Sequence, residues 1–346
     1  MDLSLRTVRE VMGVAPDIRL GLVLERAARR DQRLTGAVCS LAAAEGHRLG
    51  RLGEALLDVE RARREEHDRI IALVRGAGRA EVLKGAALQR YYPPGVLRTS
   101  RDVDLLMPDE AELWAAVAAL ARVRPVDEAR VSMIVSGGRR HWAVALNWPS
   151  PESDLDHVYA AEFLTAPFYG NSTTVPLRTE LPADRTVAHL LLIAEELFQQ
   201  PLRGRDVVDV AVLVDALSEQ DLTDLRQAAG RWLLAPEVHE AVERVNAVPG
   251  LAGDASRRLA EELAHAAERE RARRTTAGLA ADTPVTYYGL PLGPALSAPG
   301  VVVEQDAEMT VVRCPVGGFL MVDTLSVPAE LAEAALERYP EAVLPV

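Results

Sequence analysis

One stretch of this chain restricts its fold more than any other. In Asp102-Val103-Asp104-Leu105-Leu106-Met107, polar and apolar residues alternate before the run turns wholly apolar, the pattern of a strand entering a core. Side chains two apart on a strand leave from the same face, so Asp102 and Asp104 converge. Converging carboxylates repel, and a hard divalent cation with oxygen ligands, Mg²⁺ above all, is the usual remedy. A solvated acidic strand end is the plainer alternative. Upstream, residues 81–83 read as a second strand that runs into Lys84-Gly85 and then a helix. Two strands joined through a helix make this part of the chain a fold that mixes helix and sheet.

Lys84 is the only lysine in the protein, every other cation being arginine. A chain that uses arginine wherever charge alone suffices keeps a lysine where a compact ammonium is needed, because guanidinium is a planar fork and not a point charge. Chance survival of a single lysine is the competing explanation.

Taken together, Leu83-Lys84-Gly85, Tyr91/Tyr92, Arg98 and Asp102-Val103-Asp104-Leu105-Leu106 resemble an uncharacterised bacterial nucleotidyltransferase family of the DNA polymerase β-type superfamily. Its pattern is Leu-Lys-Gly, a helix ending in tyrosine, then Arg-x-x-x-Asp-hydrophobic-Asp-Leu-Leu. The match is specific over residues 83–106 and looser to about residue 217. The resemblance implies a nucleotidyltransferase-like mixed sheet with flanking helices. It also implies one or two Mg²⁺ ions on Asp102 and Asp104, and an NTP donor whose triphosphate is cradled by Lys84 and the Gly85 backbone and neutralised by Arg98. A later run, Arg203-Gly204-Arg205-Asp206-Val207-Val208-Asp209, resembles a helix that follows the catalytic sheet in several such groups. By that likeness Arg203 and Arg205 meet the triphosphate and Asp206 is the acceptor-side base, although an aspartate in a first helical turn is also simply a good cap.

The resemblance breaks at Val144-Ala145-Leu146-Asn147-Trp148. Many superfamily members carry a third metal-binding carboxylate where Ala145 stands, and the family tends to place a histidine where Asn147 stands. Three outcomes are open. Two carboxylates suffice, an acid such as Asp154 or Asp156 enters from elsewhere, or catalysis has been lost and the protein is a binding or scaffold element of a biosynthetic pathway.

The remaining sequence sets the frame. A chain of 346 residues, nearly half apolar, is long enough for several domains. The expected division is a helical N-terminal region (1–78), a nucleotidyltransferase-like core (79–180), a helical domain (181–274) and a small α+β tail (275–346) that matches no recognised family. Arg61, Arg63, Arg64, Glu65 and Glu66 read as solvated helix faces, and His47 and His67 as surface histidines. His189, beside an apolar helical stripe, reads as a packed core histidine. Residues 149–179 read as a loop facing substrate.

The net charge of −12 argues against bulk nucleic acid as partner. It leaves an NTP and a small-molecule or peptide acceptor, with the tail open to a homo-oligomer or pathway contact. No apolar run approaches the roughly 18 residues of a membrane span and no signal-peptide block opens the chain, so a cytoplasmic location is expected. Cys39 and Cys314 show no metal-like spacing and read as reduced, buried thiols.

Overall fold

The computed structural model describes residues 3–30, 32–151, 155, 158–278, 283–293, 300–306, 309–324 and 327–339. Four helices come first, α1 (Leu5–Val11), α2 (Leu20–Arg30), α3 (Thr35–Ala44) and α4 (Gly50–Ala77), with a 3-10 turn Gln32–Leu34 between α2 and α3. The central part contains β1 (Glu81–Val82), β2 (Asp102–Leu106), α5 (Glu110–Val123), β3 (Glu128–Ser136), β4 (Arg139–Pro149) and β5 (Val158–Leu164). Five helices follow, α6 (Arg185–Glu195), α7 (Gly204–Asp215), α8 (Glu219–Arg231), α9 (Ala235–Asn246) and α10 (Asp254–Thr276). The chain then returns to β6 (Val285–Gly293), β7 (Val302–Gln305), β8 (Thr310–Cys314) and β9 (Gly317–Val322) before α11 (Ala329–Arg338).

The class is α+β, as the sequence implies. The strands form one mixed sheet in the order β1-β2-β5-β4-β3-β6-β9-β8-β7. Among the described residues, β2 and β5 are its one parallel pair. The change of composition near residue 275 marks no break in that sheet, because β6 pairs with β3 and extends it. Residues 149–179, expected as a loop, contain β5. In Val158-Tyr159-Ala160-Ala161-Glu162-Phe163-Leu164, the residues Tyr159, Ala161 and Phe163 alternate into the core, and the prolines and serine ahead of the strand hide that period. After Lys84-Gly85, the expected helix is a 3-10 helix, Gly85–Tyr91.

Each element has a local cause. Asp109 caps α5, its carboxylate accepting the Glu112 N–H at 2.9 Å, and the β3–β4 hairpin turns on Gly137 and Gly138, both at positive φ as a tight hairpin requires. One face of the sheet, including Val103, Leu105, Val144 and Phe163, packs with α5 and the end of α4 into one apolar cluster. In it Trp114 and Trp142 meet edge to face at 5.3 Å. A second cluster unites the N-terminal helices with α6 to α10, so the two helical regions share one core.

Burial revises several expectations. Glu60, Arg63, Glu66 and His67 are buried: Arg63 bonds Glu60 at 3.0 Å and Arg124 pairs with Glu66, so their face of α4 is an ion-paired seam, while Arg61, Arg64, Glu65 and His47 are exposed as expected. His189 is buried, as expected. Both cysteines are free and buried, and burial pushes the Cys39 thiol up to about 12.

A buried ion pair ties the segment ahead of β2 to the helices. Arg98 donates from Nε and Nη2 to the two oxygens of Asp209 on α7, at 2.7 and 2.6 Å, with both side chains almost wholly excluded from water. Replacing Asp209 by Ala would strand a buried guanidinium, at a cost of about 3–5 kcal/mol. Urea unfolding should show that loss, and an Arg98→Met/Asp209→Leu double variant should recover a good part of it, which a purely steric role for the pair would not allow.

Candidate active site

The sheet face opposite the apolar cluster carries the charged groups. In β2, Val103 and Leu105 point to the core, which sends Asp102 and Asp104 to the other side. In β5 the same alternation frees Glu162. Register then sets one row across four strands, with Asp104 beside Glu162, Glu162 beside Ala145, and Ala145 beside Arg130. A third carboxylate, Glu162, thus stands on the neighbouring strand beside Ala145, an acid from a position other than the one where the resemblance places it. The other candidates considered for that role, Asp154 and Asp156, lie outside the described residues.

Lys84 reaches this row because the Leu83 N–H bonds the Asp104 carbonyl at 3.0 Å, setting the Lys-Gly break against the acidic strand. Gly85 has φ +62°, and a Cβ there would stand 3.0 Å from Ser100 Oγ and 3.9 Å from Asp104 Oδ2. The left-handed backbone and the close approach both call for glycine. A seven-residue 3-10 helix offers little of an α-helix dipole, so the part of Gly85 is to let the turn pass close to the carboxylates.

Lys84, Gly85, Asp102, Asp104 and Glu162 line one cleft of about 450 Å³, closed on the helical side by Glu195, Glu196, Arg33 and Arg205, with Tyr169 and Arg130 also on its wall. The Lys84 ammonium donates to Glu196. Burial works to lower its pKa, and the charges of Asp104, Glu196 and Asp102 override that and hold it above the ordinary range.

The acids show the opposite imbalance. Burial and the Asp102 charge push Asp104 well above the usual carboxylate range despite Lys84. Glu162 is raised by burial against the pull of Lys84, and it hydrogen-bonds Asp104. Glu195 accepts the Gly170 N–H at 2.7 Å and is pushed up to about 7 by burial. The Tyr169 hydroxyl is buried without a hydrogen-bond partner among the described residues.

The other residues expected here divide. Arg98 lines the cleft, yet its N–H groups serve Asp209 and, from Nη1 at 2.9 Å, the Gly85 carbonyl. It therefore positions the turn and offers a phosphate little. Asp206 is outside the cleft lining. Its Oδ2 accepts the Arg203 N–H at 2.9 Å, its Oδ1 accepts from Arg205 at 2.9 Å, and burial, which would raise its pKa, loses to Arg205 and the Arg203 N–H, which hold it low. A carboxylate so engaged is a helix cap and a poor proton acceptor, which corrects its assignment as base. Arg203 is exposed and bonds Gln200. Glu162, Glu195, Glu196, Tyr169 and Arg33 were not singled out by the sequence. For Glu162 the alternation of β5 was a usable signal, and the others depend on tertiary placement.

Three carboxylates present hard oxygen donors of the kind Mg²⁺ prefers. Among the described residues, however, no three His, Cys, Asp or Glu side chains are gathered at metal-holding distance as they stand. Asp104 and Glu162 are bonded to each other and Lys84 turns to Glu196, so holding an ion would require these side chains to rotate toward it. No helix among the described residues is long and apolar enough to cross a membrane.

The fold and the cleft define an α+β protein with an acid-lined, lysine-bearing site at the edge of its sheet. No family model matches the chain, and no curated protein does. Two solved structures align with it, a candidate nucleotidyltransferase from H. pylori (15% identity, TM-score 0.30, 61% of this chain and 95% of that one) and JHP933 from Helicobacter pylori (16% identity, TM-score 0.28, 61% and 92%). Likeness at this level is distant, and the functional reading rests on the residues of the cleft.

Two outcomes follow from this geometry. Because the folded-state pKa of Asp104 is raised, the native state holds its proton at pH values where the unfolded chain has lost it, so stability falls as pH rises above the ordinary carboxylate range. In thermal melts at neutral pH without metal, Asp104→Asn should therefore melt higher than the parent protein. Gly85→Ala should melt lower, by the roughly 1–2 kcal/mol that a left-handed non-glycine residue costs.

Proposed function

We propose that this chain is a divalent-metal-dependent nucleotidyltransferase that moves a nucleoside monophosphate from an NTP to a hydroxyl of a small-molecule or peptide acceptor. The observation that carries the reading is the meeting of Asp102, Asp104 and Glu162 with the sole lysine around one cleft. Its volume of about 450 Å³ suits a nucleotide-sized ligand.

Asp102, Asp104 and Glu162 would hold one or two Mg²⁺ ions, which when bound neutralise phosphate oxygens and ease an in-line displacement. Lys84 sits beside these acids as a point charge for a non-bridging phosphate oxygen. In the transfer, the acceptor oxygen bonds to the α-phosphorus while the bond from that phosphorus to the α,β-bridging oxygen breaks, and pyrophosphate leaves with the electron pair. The acceptor proton passes to Glu195, whose carboxyl borders the cleft and is poised near neutrality, where a general base works best. Tyr169 is a free hydroxyl on the same wall for orienting the acceptor. Ala145 leaves an impaired scaffold as the second reading, and Glu162, which stands beside it on the neighbouring strand, supports the enzyme over that alternative.

Pyrophosphate release with Mg²⁺, each NTP and a panel of hydroxylated acceptors tests the proposal. Asp102→Asn, Asp104→Asn and Glu162→Gln should each lower turnover by about 100-fold or more. Glu162→Gln indistinguishable from the parent would sink it. The rate should rise with pH through about 7 as Glu195 deprotonates, and Glu195→Gln should flatten that rise.

A further inference from the structure

We propose that Arg33 and Arg205 form an anion subsite at the helical end of the cleft, suited to the terminal phosphates of a polyphosphate chain, so that the N-terminal helical region completes the donor site. The inference rests on the nucleotidyltransferase reading for the identity of the donor, while the anion binding itself can be measured without any transfer.

Arg33 lies in the 3-10 turn Gln32–Leu34, which packs against α7. Its side chain lines the cleft together with Arg205, Gln199 and Gln200. The two arginines are provided for unequally. Arg205 is buried and braced by Asp206 at 2.9 Å and by Asp209 at 3.6 Å. Arg33 is half-buried and has no ion pair among the described residues. Among the described residues, the acids close enough to act on it are Asp206, already held by Arg205 and the Arg203 N–H, and Glu196, already held by Lys84.

A partly desolvated guanidinium kept beside a second guanidinium is unfavourable unless an anion joins them. Burial, and after it the Arg205 charge, lowers the Arg33 pKa, which is the same conflict seen in its proton affinity. Phosphate oxygens match a guanidinium fork in geometry and charge. The sequence of groups along the cleft gives the direction. Asp104 acts on Lys84, Lys84 bonds Glu196, and Glu196 acts in turn on Arg33. A chain whose first phosphate lies at the carboxylates would thus carry its last toward Arg33 and Arg205, drawing Lys84 away from Glu196 on the way.

The test is isothermal titration of the full chain with inorganic tripolyphosphate and, separately, orthophosphate, without divalent metal. The parent protein should bind tripolyphosphate more tightly than orthophosphate. Arg33→Ala should weaken tripolyphosphate by about tenfold or more with a thermal midpoint, measured without ligand, no lower than that of the parent. Arg33→Lys should recover part of the loss, and Arg139→Ala, a change outside this cleft, should have no effect. Failure of the parent to bind tripolyphosphate, or equal binding by Arg33→Ala, overturns the subsite. Arg33-dependent binding without any nucleotidyl transfer keeps the subsite and removes the donor reading. Transfer with an NTP KM unmoved by Arg33→Ala does the reverse.

Discussion

The buried pair between Arg98 and Asp209 is the constraint on which the cleft depends. Its two parallel hydrogen bonds join the segment ahead of β2 to α7, and each partner also holds something else. Arg98 Nη1 grips the Gly85 carbonyl at 2.9 Å, while Asp209 Oδ1 takes the Tyr92 hydroxyl at 2.6 Å. The 3-10 helix is therefore clamped at both ends to one carboxylate. A buried ion pair gains little net stability once desolvation is counted. What this one does supply is orientation, because a planar bidentate pair fixes angles as well as distance. With the turn fixed, Lys84 is placed next to Asp104, and the neighbouring Arg205 is steadied by the same Asp209.

The second constraint is register. Parallel pairing of β2 with β5 sets Asp104 beside Glu162, and antiparallel pairing of β5 with β4 sets Glu162 beside Ala145. Cross-strand neighbours share a face, so a carboxylate shifted by one strand still projects into the same hollow. Ala145 then has a positive use: its small side chain leaves space between Glu162 and Arg130, which the next strand brings into the row. The cost of gathering acids on a partly desolvated face appears in the raised pKa values of Asp104 and Glu162 and in the hydrogen bond between them.

The uneven legibility of the site follows from where its information lies. Asp102, Asp104 and Lys84 were readable because their meaning is local: a two-residue period, a Lys-Gly break and a lone ammonium. Arg98 and Asp206 were recognised as notable, but a sequence does not show whether a charge meets a ligand or another side chain. Here Asp209 and the start of α7 claim them. Glu162 was obscured because β5 follows Pro149-Ser150-Pro151 and sits in a stretch whose polar punctuation reads as loop, although its alternation is regular. Arg33 carried no mark at all. It stands among many arginines in a helical region, and only the packing of the N-terminal helices with α6 to α10 into one core brings it to the cleft. The tail was legible as strands, while its continuity with the sheet through β3 and β6 depends on a pairing distant in sequence.

Electrostatic balance along the cleft joins these points. At the strand end, three carboxylates face an ammonium that is shared with Glu196, and the Arg130 guanidinium, which acts on Glu162. At the helical end, two guanidiniums line the same wall, and among the described residues the acids within reach of Arg33 are otherwise engaged. The acids crowd one end, and at the other Arg33 has no ion pair among the described residues, within a chain whose net charge of −12 would repel an anion at long range. A simple anion would relieve only the helical end and a simple cation only the strand end. The proposed metal–polyphosphate would carry both charges in one ligand. Such a ligand class would relieve both imbalances at once, and on this ground we propose a metal-bound nucleotide rather than an uncharged metabolite.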